Sequence, residues 1–389
     1  MKYWRGYLTA AIIGLFSWAL IQFAAGHTVL IDSVYPYVTR MLQTFLAEWS
    51  SGADFCLWQF IAIVMIVGML ASIVLGVVLR WNPIQLIGWF TALASFLFFL
   101  HTCIYGLNSY AGSIADDIHL SVTEYSLSEL EEATVFYRDQ ANALALQVDR
   151  NSDGTPKFSS FEELAQQAGE GFTNLVYNRS YSIFAGSTLP VKKLGWADMY
   201  TSMGILGFTL SLTGEAAVNP QAPAVSLPFT MCHEMAHRMS IAVESDANMA
   251  AYLACIENPS IEFQYSGYYM AYRYCYNALA SLTSSSAKEA AKRVSAGVND
   301  TLYQDLASYN AFFAAKKNET ATEIANTVND TYIKVNGDED GVESYGRVCD
   351  LLVSWHIQEY VLPQHTEDQI KFDPFDETQV DLSGIVNAR

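Results

Sequence analysis

Charge is scarce in this sequence, and positive charge is scarcest. The 389 residues include 21 Lys and Arg against 40 Asp and Glu, which gives a formal net charge of −19 at pH 7. Such an acidic chain repels a phosphate backbone, so the composition argues against nucleic acid as a partner. Only 16% of the residues are charged, whereas 51% are hydrophobic, and this share of charge is low for a soluble globular protein.

Two signatures of other site classes are also missing. None of the six cysteines has a partner at CxxC spacing, which argues against a zinc site built from thiolates. No GxSxG motif is present, which is consistent with a chemistry that forms no covalent enzyme intermediate. The spacing of Cys232, Cys255, Cys275 and Cys349 shows no recognisable framework, so whether they form one or two disulfides stays open.

Three long apolar runs occupy the beginning of the chain. Residues 8–25 and 57–79 contain no charged residue, and residues 86–104 contain only His101. As helices, these runs are long enough to cross a hydrocarbon core of about 30 Å. The first run lacks a clear small-x-small cleavage site before His27, which favours a retained helix over a signal peptide. We therefore expect three transmembrane helices that hold the protein in a lipid bilayer.

The few basic residues predict how these helices are oriented. Lys2 and Arg5 precede the first run, Arg80 lies between the second and the third, and Arg40 is the only base between the first and the second. The positive-inside rule places the N-terminus and the Arg80 loop in the cytoplasm of a multi-pass cell-membrane protein. The part of the chain after residue 108, with a formal charge of −20, is then extracytoplasmic, because residues 1–108 carry +1.

The expected fold class is mainly α. We expect a three-span transmembrane region (1–108), an α-rich extracytoplasmic domain (109–363), which the motif described below makes zincin-like, and an acidic C-terminal tail (364–389). The clearest strand material is residues 204–219, where apolar and polar residues alternate, and it predicts a small strand or hairpin element. Residues 33–49 carry an apolar helical face, which predicts an interfacial helix between the first two spans.

An acidic loop resembles half of a calcium site. Asp149, Asn151, Asp153 and Gly154 match the first part of a calcium-loop pattern, but Ser160 occupies the twelfth position, where a bidentate glutamate belongs. An Asx-rich turn before a helix that begins near residue 161 is the better interpretation, and calcium stays the alternative. Residues 336–344 hold a weaker case of the same pattern.

The candidate chemistry is concentrated in the stretch HEMAH, residues 233–237. On a helix, His233 and His237 lie four residues apart and project from one face, so both imidazoles can reach one Zn²⁺. Glu234 lies beside the first histidine and can address a metal-bound water, as the general base does in HExxH metallopeptidases. By itself, this five-residue motif is equally compatible with a structural helix that binds no metal.

A catalytic zinc ion needs a third protein ligand, and two glutamates compete for that role. On an unbroken helix Glu244 would lie about 10 Å beyond His237 along the axis, so the chain must turn sharply between them. Glu257 has the spacing of thermolysin-type peptidases, but Pro259 ends any helix there and leaves such a ligand poorly anchored. We therefore expect Glu244 as a gluzincin-like ligand, and Asn248, on the same helical face, as a hydrogen-bond partner of a ligating group.

A resemblance to a known family covers nearly the whole chain. It is carried by GEAAVNPQAPAVSLPFTMCHEMAHRMSIAVESDANMAAY, by QYSGYYMAYRY, by YGLNSY at Tyr105 and by VNGDEDGVESYGRVCDLL at Val335. The sequence resembles the bacterial membrane family catalogued as domain of unknown function 3810, with three N-terminal spans and an outer domain. The resemblance implies that the metal ligands are His233, His237 and Glu244, with Glu234 as the base.

One residue departs from the family pattern. The family usually has glycine three residues after the second histidine, where the chain bends, and this sequence has Ser240. A left-handed bend costs serine roughly 1 kcal/mol more than glycine.

Three further residues and one segment near the motif also have expected positions or roles. Tyr265, rather than its neighbour Tyr268, is the expected donor to an oxyanion, by its position in the family. Residues 214–219 are the expected edge strand for an extended substrate, and Glu215 either binds a substrate amine or caps a turn. Arg238 is expected to face solvent or an acid.

Together these features predict a membrane-anchored zinc metallopeptidase that hydrolyses a peptide or protein substrate. Zn²⁺ would activate a water molecule, and Glu234 would take the water's proton and pass it to the leaving amine. The alternative is a catalytically inactive, zinc-stabilised binding or scaffold protein of the envelope. A closed fourth zinc position or a buried Glu234 would indicate that alternative. The third interpretation is a membrane protein without metal.

Overall fold

The fold is known from a computed structural model, which describes residues 4–316, 322–323, 327 and 345–363. The predicted tail at 364–389 and the second acidic loop at 336–344 lie outside the described residues. The predicted division of the chain at residue 108 stays a prediction.

Three helices have the length and apolarity needed to cross a membrane, as expected. They are α1 (Arg5–Gly26), α3 (Leu57–Val78) and α4 (Pro83–Ile104). Helices α1 and α4 pack in close contact, because Gly6 and Gly88 have no side chains at their crossing: a Cβ on Gly6 would overlap the backbone of Gly88. The predicted orientation of the three spans stays a prediction.

The helix between the first two spans is α2 (Thr28–Ser50), which is longer than the predicted residues 33–49. Only His27 separates it from α1. One face of α2 contacts the rest of the protein: Tyr35 Oη donates to Thr102 O at 2.8 Å, Arg40 Nε to Met239 O at 3.2 Å, and Gln43 Nε2 to Ser211 O at 3.0 Å. Helix α2 therefore lies between the ends of the spans and the folded domain.

The domain is mainly helical, as predicted. Its helices are α5 (Ile114–Asp117), α6 (Leu127–Ala145), α7 (Phe161–Arg179), α8 (Ala197–Ser202), α9 (Leu227–Arg238), α10 (Glu244–Ile256), α11 (Ile261–Ser281), α12 (Ser285–Ala296), α13 (Asp300–Lys316) and α14 (Tyr345–His356). Helix α10 lies at the centre of the core, where every residue from Ser245 to Cys255 is buried. Helix α7 approaches α10 closely at Gly171, where a Cβ would overlap Ala254 O.

A small mixed sheet lies beside the central helices. It contains β1 (Lys192–Lys193), β2 (Gly207–Leu210) and β3 (Glu215–Val218) in the order β1-β3-β2. Strands β2 and β3 form the expected hairpin, with Phe208 opposite Ala217, and β1 runs parallel to β3. The prediction that residues 214–219 form an edge strand was wrong. Strand β3 is central, with partners on both sides, and β2 is the edge strand next to α9.

Glu215 has a role that neither expectation included. Its side chain is buried and accepts hydrogen bonds from Leu57 N and Trp58 N, both at 2.8 Å, and from Lys192 Nζ at 2.6 Å. Leu57 and Trp58 are the first residues of α3, so the carboxylate caps the N-terminus of a membrane span, where an anion is stabilised. The expected substrate amine or turn contact is therefore wrong, and Glu215 fastens the sheet to the membrane region.

The acidic loop and the cysteines have structural roles. Asp153 Oδ1 accepts hydrogen bonds from Thr155 N and Thr155 Oγ1, and Gly154 N donates to Asn151 O, which confirms the Asx-type turn. Ser160 caps α7, which begins at Phe161 as predicted. All six cysteines are free thiols, and Cys232 Sγ and Cys255 Sγ lie 3.9 Å apart in the core.

The contact between α2 and the sheet should depend on Gly214, which has φ +64°. A Cβ there would lie 2.6 Å from Ala47 N and 2.7 Å from Gln43 O, both backbone atoms of α2. Gly204 has φ +77°, and a Cβ there would meet no atom within 4 Å, so it is a matched control. We expect Gly204→Ala to lower the free energy of unfolding by about 1 kcal/mol, from backbone strain alone. Gly214→Ala should lower it by about 2–4 kcal/mol, since overpacking adds to the strain.

Thermal unfolding of the detergent-solubilised full chain measures this difference. Equal losses of stability in the two variants would contradict the close packing of α2 against the sheet.

Candidate metal centre

Helix α9 brings the two histidines of the HEMAH stretch together. Pro228 lies in its first turn, where the missing N–H costs no hydrogen bond. His233 and His237 project from the same face, as predicted, and their Nε2 atoms lie 3.0 Å apart. When both imidazoles are neutral and protonated at Nδ1, their Nε2 lone pairs point to one place, which favours a cation between them.

The chain turns sharply just after the second histidine. Ser240 has φ +72°, in the left-handed region. Ile241 N donates to Ala236 O at 3.2 Å, and Ser240 N donates to His237 O at 2.9 Å. These two bonds form a Schellman-type turn with serine at the position that usually holds glycine. The expected bend is confirmed, and serine occupies it without a cis peptide or a break in hydrogen bonding.

Glu244 returns to the histidines as the first residue of α10. Its Oε2 lies 3.3 Å from His233 Nε2, and its Oε1 lies 3.6 Å from His237 Nε2. Ligand atoms around a tetrahedral zinc ion with bonds of 2.0–2.1 Å are about 3.3 Å apart. His233, His237 and Glu244 are also the only group of three His, Cys, Asp or Glu residues with suitably placed ligand atoms in the described part of the chain. The three side chains therefore fit one metal ion.

The hydrogen bond of His237 orients its ring for metal binding. Its Nδ1 lies 2.8 Å from Ile241 O, a carbonyl that can only accept, so Nδ1 donates this bond and Nε2 is the ring nitrogen that faces the centre. Tyr105 Oη lies 3.5 Å from the same Nδ1 and donates to Ile241 O at 3.4 Å. His233 lacks such support: its buried Nδ1 has no hydrogen-bond partner among the described residues.

The electrostatics of the three ligands favour a positive charge between them. Burial lowers the pKa of His237, but the charge and hydrogen bond of Glu244, with smaller effects of Glu234 and the Ile241 carbonyl, together outweigh burial and raise this pKa to about 9. Burial raises the pKa of the Glu244 carboxyl, but His237 and His233 outweigh it and hold this pKa well below its usual range. A divalent cation would supply the charge that these groups otherwise take from a proton.

Glu234, the expected base, is buried beside the ligands. It is 5% exposed, and Thr209 Oγ1 of β2 donates to its Oε2 at 2.7 Å. A Cβ on Gly207 would overlap the Glu234 carboxylate, so the edge strand covers this group closely. Burial raises the pKa of Glu234, against the opposing effects of the two histidines and Thr209. The ligands themselves are more open, with Glu244 34% exposed in its side chain.

Two predicted supporting residues have other partners. Tyr265 is fully buried and donates to Asp305, which also pairs with Arg150, so its hydroxyl is not directed at the metal ligands. The prediction of an oxyanion donor at this position was wrong, because an aspartate forty residues later binds the phenol. Asn248 is also buried, but its Oδ1 accepts from Tyr274 Oη at 3.0 Å. Among the described residues, no hydrogen bond from Asn248 to a metal-ligating side chain is found.

The structure also shows where Glu257, Arg238 and Tyr268 lie, three residues that the sequence left as alternatives or gave only an expected environment. Glu257 lies at the far end of α10 and pairs with Arg179 at 3.1 Å, so Glu244 and not Glu257 reaches the histidines. Arg238 is buried and donates through Nη2 to Ser187 O and Leu189 O, so the expectation that it faces solvent or an acid was wrong. Tyr268 packs edge-on against Phe136 and Tyr252 in the core.

Two residues near the site were not predicted from the sequence. The alternating pattern of residues 204–219 predicts only a strand position for Thr209, although its hydroxyl binds the expected base. The sequence marks Tyr105 only as part of the stretch YGLNSY, although its hydroxyl lies 3.5 Å from Nδ1 of the candidate ligand His237. The position of Tyr105, directly after an apolar run that ends at Ile104, was the available signal that a span leads into the site.

Comparison with known proteins now identifies the family. The family model of DUF3810, described as a protein of unknown function, matches residues 31–353. The chain belongs to the DUF3810 family. No curated protein and no solved structure matches it. Membership in DUF3810 confirms the resemblance stated from the sequence, and the chemistry has to be argued from the site itself.

Replacement of Ser240 tests the bend. Its side chain is buried, and Oγ has no hydrogen-bond partner among the described residues. Ser240→Ala removes the hydroxyl but keeps the strained Cβ, whereas Ser240→Gly removes both. We expect the glycine variant to be more stable than the alanine variant by about 1 kcal/mol, because glycine adopts positive φ freely. Thermal unfolding measures the difference, and a glycine variant that is no more stable than alanine would contradict the left-handed bend.

Metal content tests the ligand set. We expect the purified full chain to bind about one zinc ion per molecule, since the three side chains complete a catalytic-type site. Glu244→Gln should lose most of this zinc, and Glu257→Gln, which removes only a partly exposed ion pair, should keep it. Elemental analysis after dialysis against a weak chelator gives the stoichiometry. Loss of zinc in the second variant and retention in the first would reverse the assignment of the third ligand.

Proposed function

We propose that this protein is a membrane-anchored zinc metallopeptidase. The observation that carries the proposal is the convergence of His233 Nε2, His237 Nε2 and the Glu244 carboxylate within 3.0–3.6 Å of one another. A second carboxylate, Glu234, follows the first ligand directly in the sequence. Three protein ligands with a neighbouring carboxylate are the composition of a catalytic zinc site rather than of a closed structural one.

In this proposal each residue of the site has a separate role in the hydrolysis. His233, His237 and Glu244 would hold the ion, which would lower the pKa of a water molecule and polarise a peptide carbonyl. Glu234 would accept a proton from the attacking water and deliver it to the leaving amine. The reaction consumes one water and one peptide bond and yields a carboxylate and an amine, with no covalent bond to the protein.

The surroundings of Glu234 suit a group that must hold a proton briefly. Burial under β2 raises the pKa of this carboxyl, and general bases work best when their pKa lies near the working pH. The hydroxyl of Thr209 fixes the position of Oε2 at 2.7 Å. Thr209 therefore acts as a positioning residue for Glu234.

A zinc-stabilised scaffold without activity is the second candidate. The observation in its favour is the burial of Glu234, which is only 5% exposed and lies close to the backbone of Gly207. In that case the ion would link α9 to α10 and contribute to folding only. The partial exposure of the metal ligands favours the peptidase, because a closed structural site would exclude solvent from them.

Glu234→Gln separates the two candidates. For the peptidase, the wild-type full chain in lipid nanodiscs with zinc hydrolyses a mixed peptide library, and the variant loses about 10²-fold or more of this activity while keeping its zinc. Glu257→Gln, far from the ligands, should retain the wild-type rate. Mass spectrometry of the products and elemental analysis give the two readouts. A folded, zinc-loaded wild type that cleaves no peptide would contradict the peptidase and support the scaffold.

A further inference from the structure

The metal centre is built on the ends of the membrane spans. Helix α4 ends at Ile104, and the next residue, Tyr105, places its hydroxyl 3.5 Å from the metal ligand His237. In the last turn of α4, His101 Nδ1 lies 3.0 Å from Ser211 Oγ, and Ser211 directly follows β2. The end of α4 is separated from the candidate metal position by the Tyr105 side chain, one hydrogen-bond length and the His237 ring. Together these span a distance on the order of 10 Å.

A second span meets the same strands from another side. The first residues of α3 are capped by Glu215 of β3, and Trp58 of α3 packs against Phe208 of β2, with ring centroids 5.2 Å apart. Phe208 is 41% exposed, and the next residue, Thr209, holds Glu234. Strand β2 therefore touches a membrane span with one face and the expected base with the other.

Helix α2 presents an apolar stripe on the face that points away from the domain. Its members are at least half exposed and recur at helical spacing: Leu30, Val34, Val38, Met41, Phe45 and Trp49. The opposite face holds Arg40 and Gln43, which bind the domain at Met239 and Ser211. A helix with this arrangement lies in the interface of a bilayer with its apolar side towards lipid. Since Met239 is two residues from His237, the lipid surface then lies directly beneath the metal centre.

From the positions of α4, α3 and α2 around the centre we infer the substrate class. The substrate is a polypeptide that is itself attached to the bilayer, and it is cut at a bond within a few residues of the membrane surface. The inference rests on the proposed peptidase function. A distance on the order of 10 Å corresponds to about three extended residues. A segment that leaves the bilayer next to the protein reaches the site directly, and attachment to the same bilayer raises its effective concentration there.

The position of α2 can be tested without any activity. A nitroxide label is placed on Phe45→Cys in the apolar stripe and, as a control, on Tyr303→Cys, which is 68% exposed on α13. The unsubstituted chain, whose cysteines are buried or partly buried, serves as the labelling blank. In nanodiscs, the label at 45 should collide with apolar oxygen more than with a polar nickel chelate, and the label at 303 should show the reverse. Equal, water-like accessibility at both positions would overturn the inference.

The substrate class is tested with three forms of one probe, a randomised cassette of about ten residues. The cassette either follows a single membrane-spanning helix directly, or follows it after a Gly-Ser linker of about 30 residues with a typical span of about 30 Å, or is free in solution. The anchored forms are placed in the same proteoliposomes as the full chain. We expect the cassette next to the membrane to be cleaved at least about tenfold faster than the other two at matched concentration.

The outcomes separate the inference from the proposed function. Equal cleavage of the near and far cassettes, or faster cleavage of the free one, overturns the membrane-proximal substrate but leaves a peptidase. Absence of cleavage in all three forms overturns the peptidase and the substrate class together. Loss of all cleavage in Glu234→Gln must accompany the expected result.

Discussion

The site depends on a single left-handed residue. Ser240 ends α9 one turn after the histidine pair, and its φ of +72° lets the chain reverse within five residues, so that α10 begins with Glu244 beside the imidazoles. If α9 continued straight, that carboxylate would lie about 10 Å further along the axis and could not share an ion with His237. The two hydrogen bonds of the turn and the burial of α10 hold the bend in place. The backbone strain at serine is thus offset by the hydrogen bonds and packing around it.

The membrane region and the candidate centre form one unit. Strand β3 caps a span through Glu215, β2 holds Glu234 through Thr209, and Tyr105 joins the end of another span to the loop that supports His237. The spans therefore do more than tether a soluble domain. They contact the strands that cover Glu234, and α2 binds the domain at Met239 and Ser211. The family match at residues 31–353 likewise includes most of α2 and all of α3 and α4 as well as the domain.

Those features that local geometry decides were predictable from the sequence. The period of the helix brings His233 and His237 to one face, the length of the apolar runs predicts spans, and the distance from His237 requires a bend before Glu244. The predicted roles of individual side chains were wrong where the partner in the fold lies far away in the sequence. Tyr265 binds Asp305, Arg238 binds carbonyls near residue 188, and Glu215 caps a helix that begins 158 residues earlier. Such pairings follow from tertiary packing, and no local pattern around these residues indicates them. The strand order was missed for the same reason, since β1 joins the sheet from outside the predicted hairpin.

The most direct test of the account is X-ray absorption spectroscopy at the zinc edge on the zinc-loaded full chain in nanodiscs. The account predicts nitrogen and oxygen neighbours at about 2.0–2.1 Å, with the outer-shell scattering of two imidazoles and no sulfur. It also predicts that Glu244→Gln, reloaded with excess zinc, keeps both imidazoles while the oxygen shell changes. Sulfur neighbours at about 2.3 Å, or scattering from a single imidazole in the wild type, would contradict a centre formed by His233, His237 and Glu244.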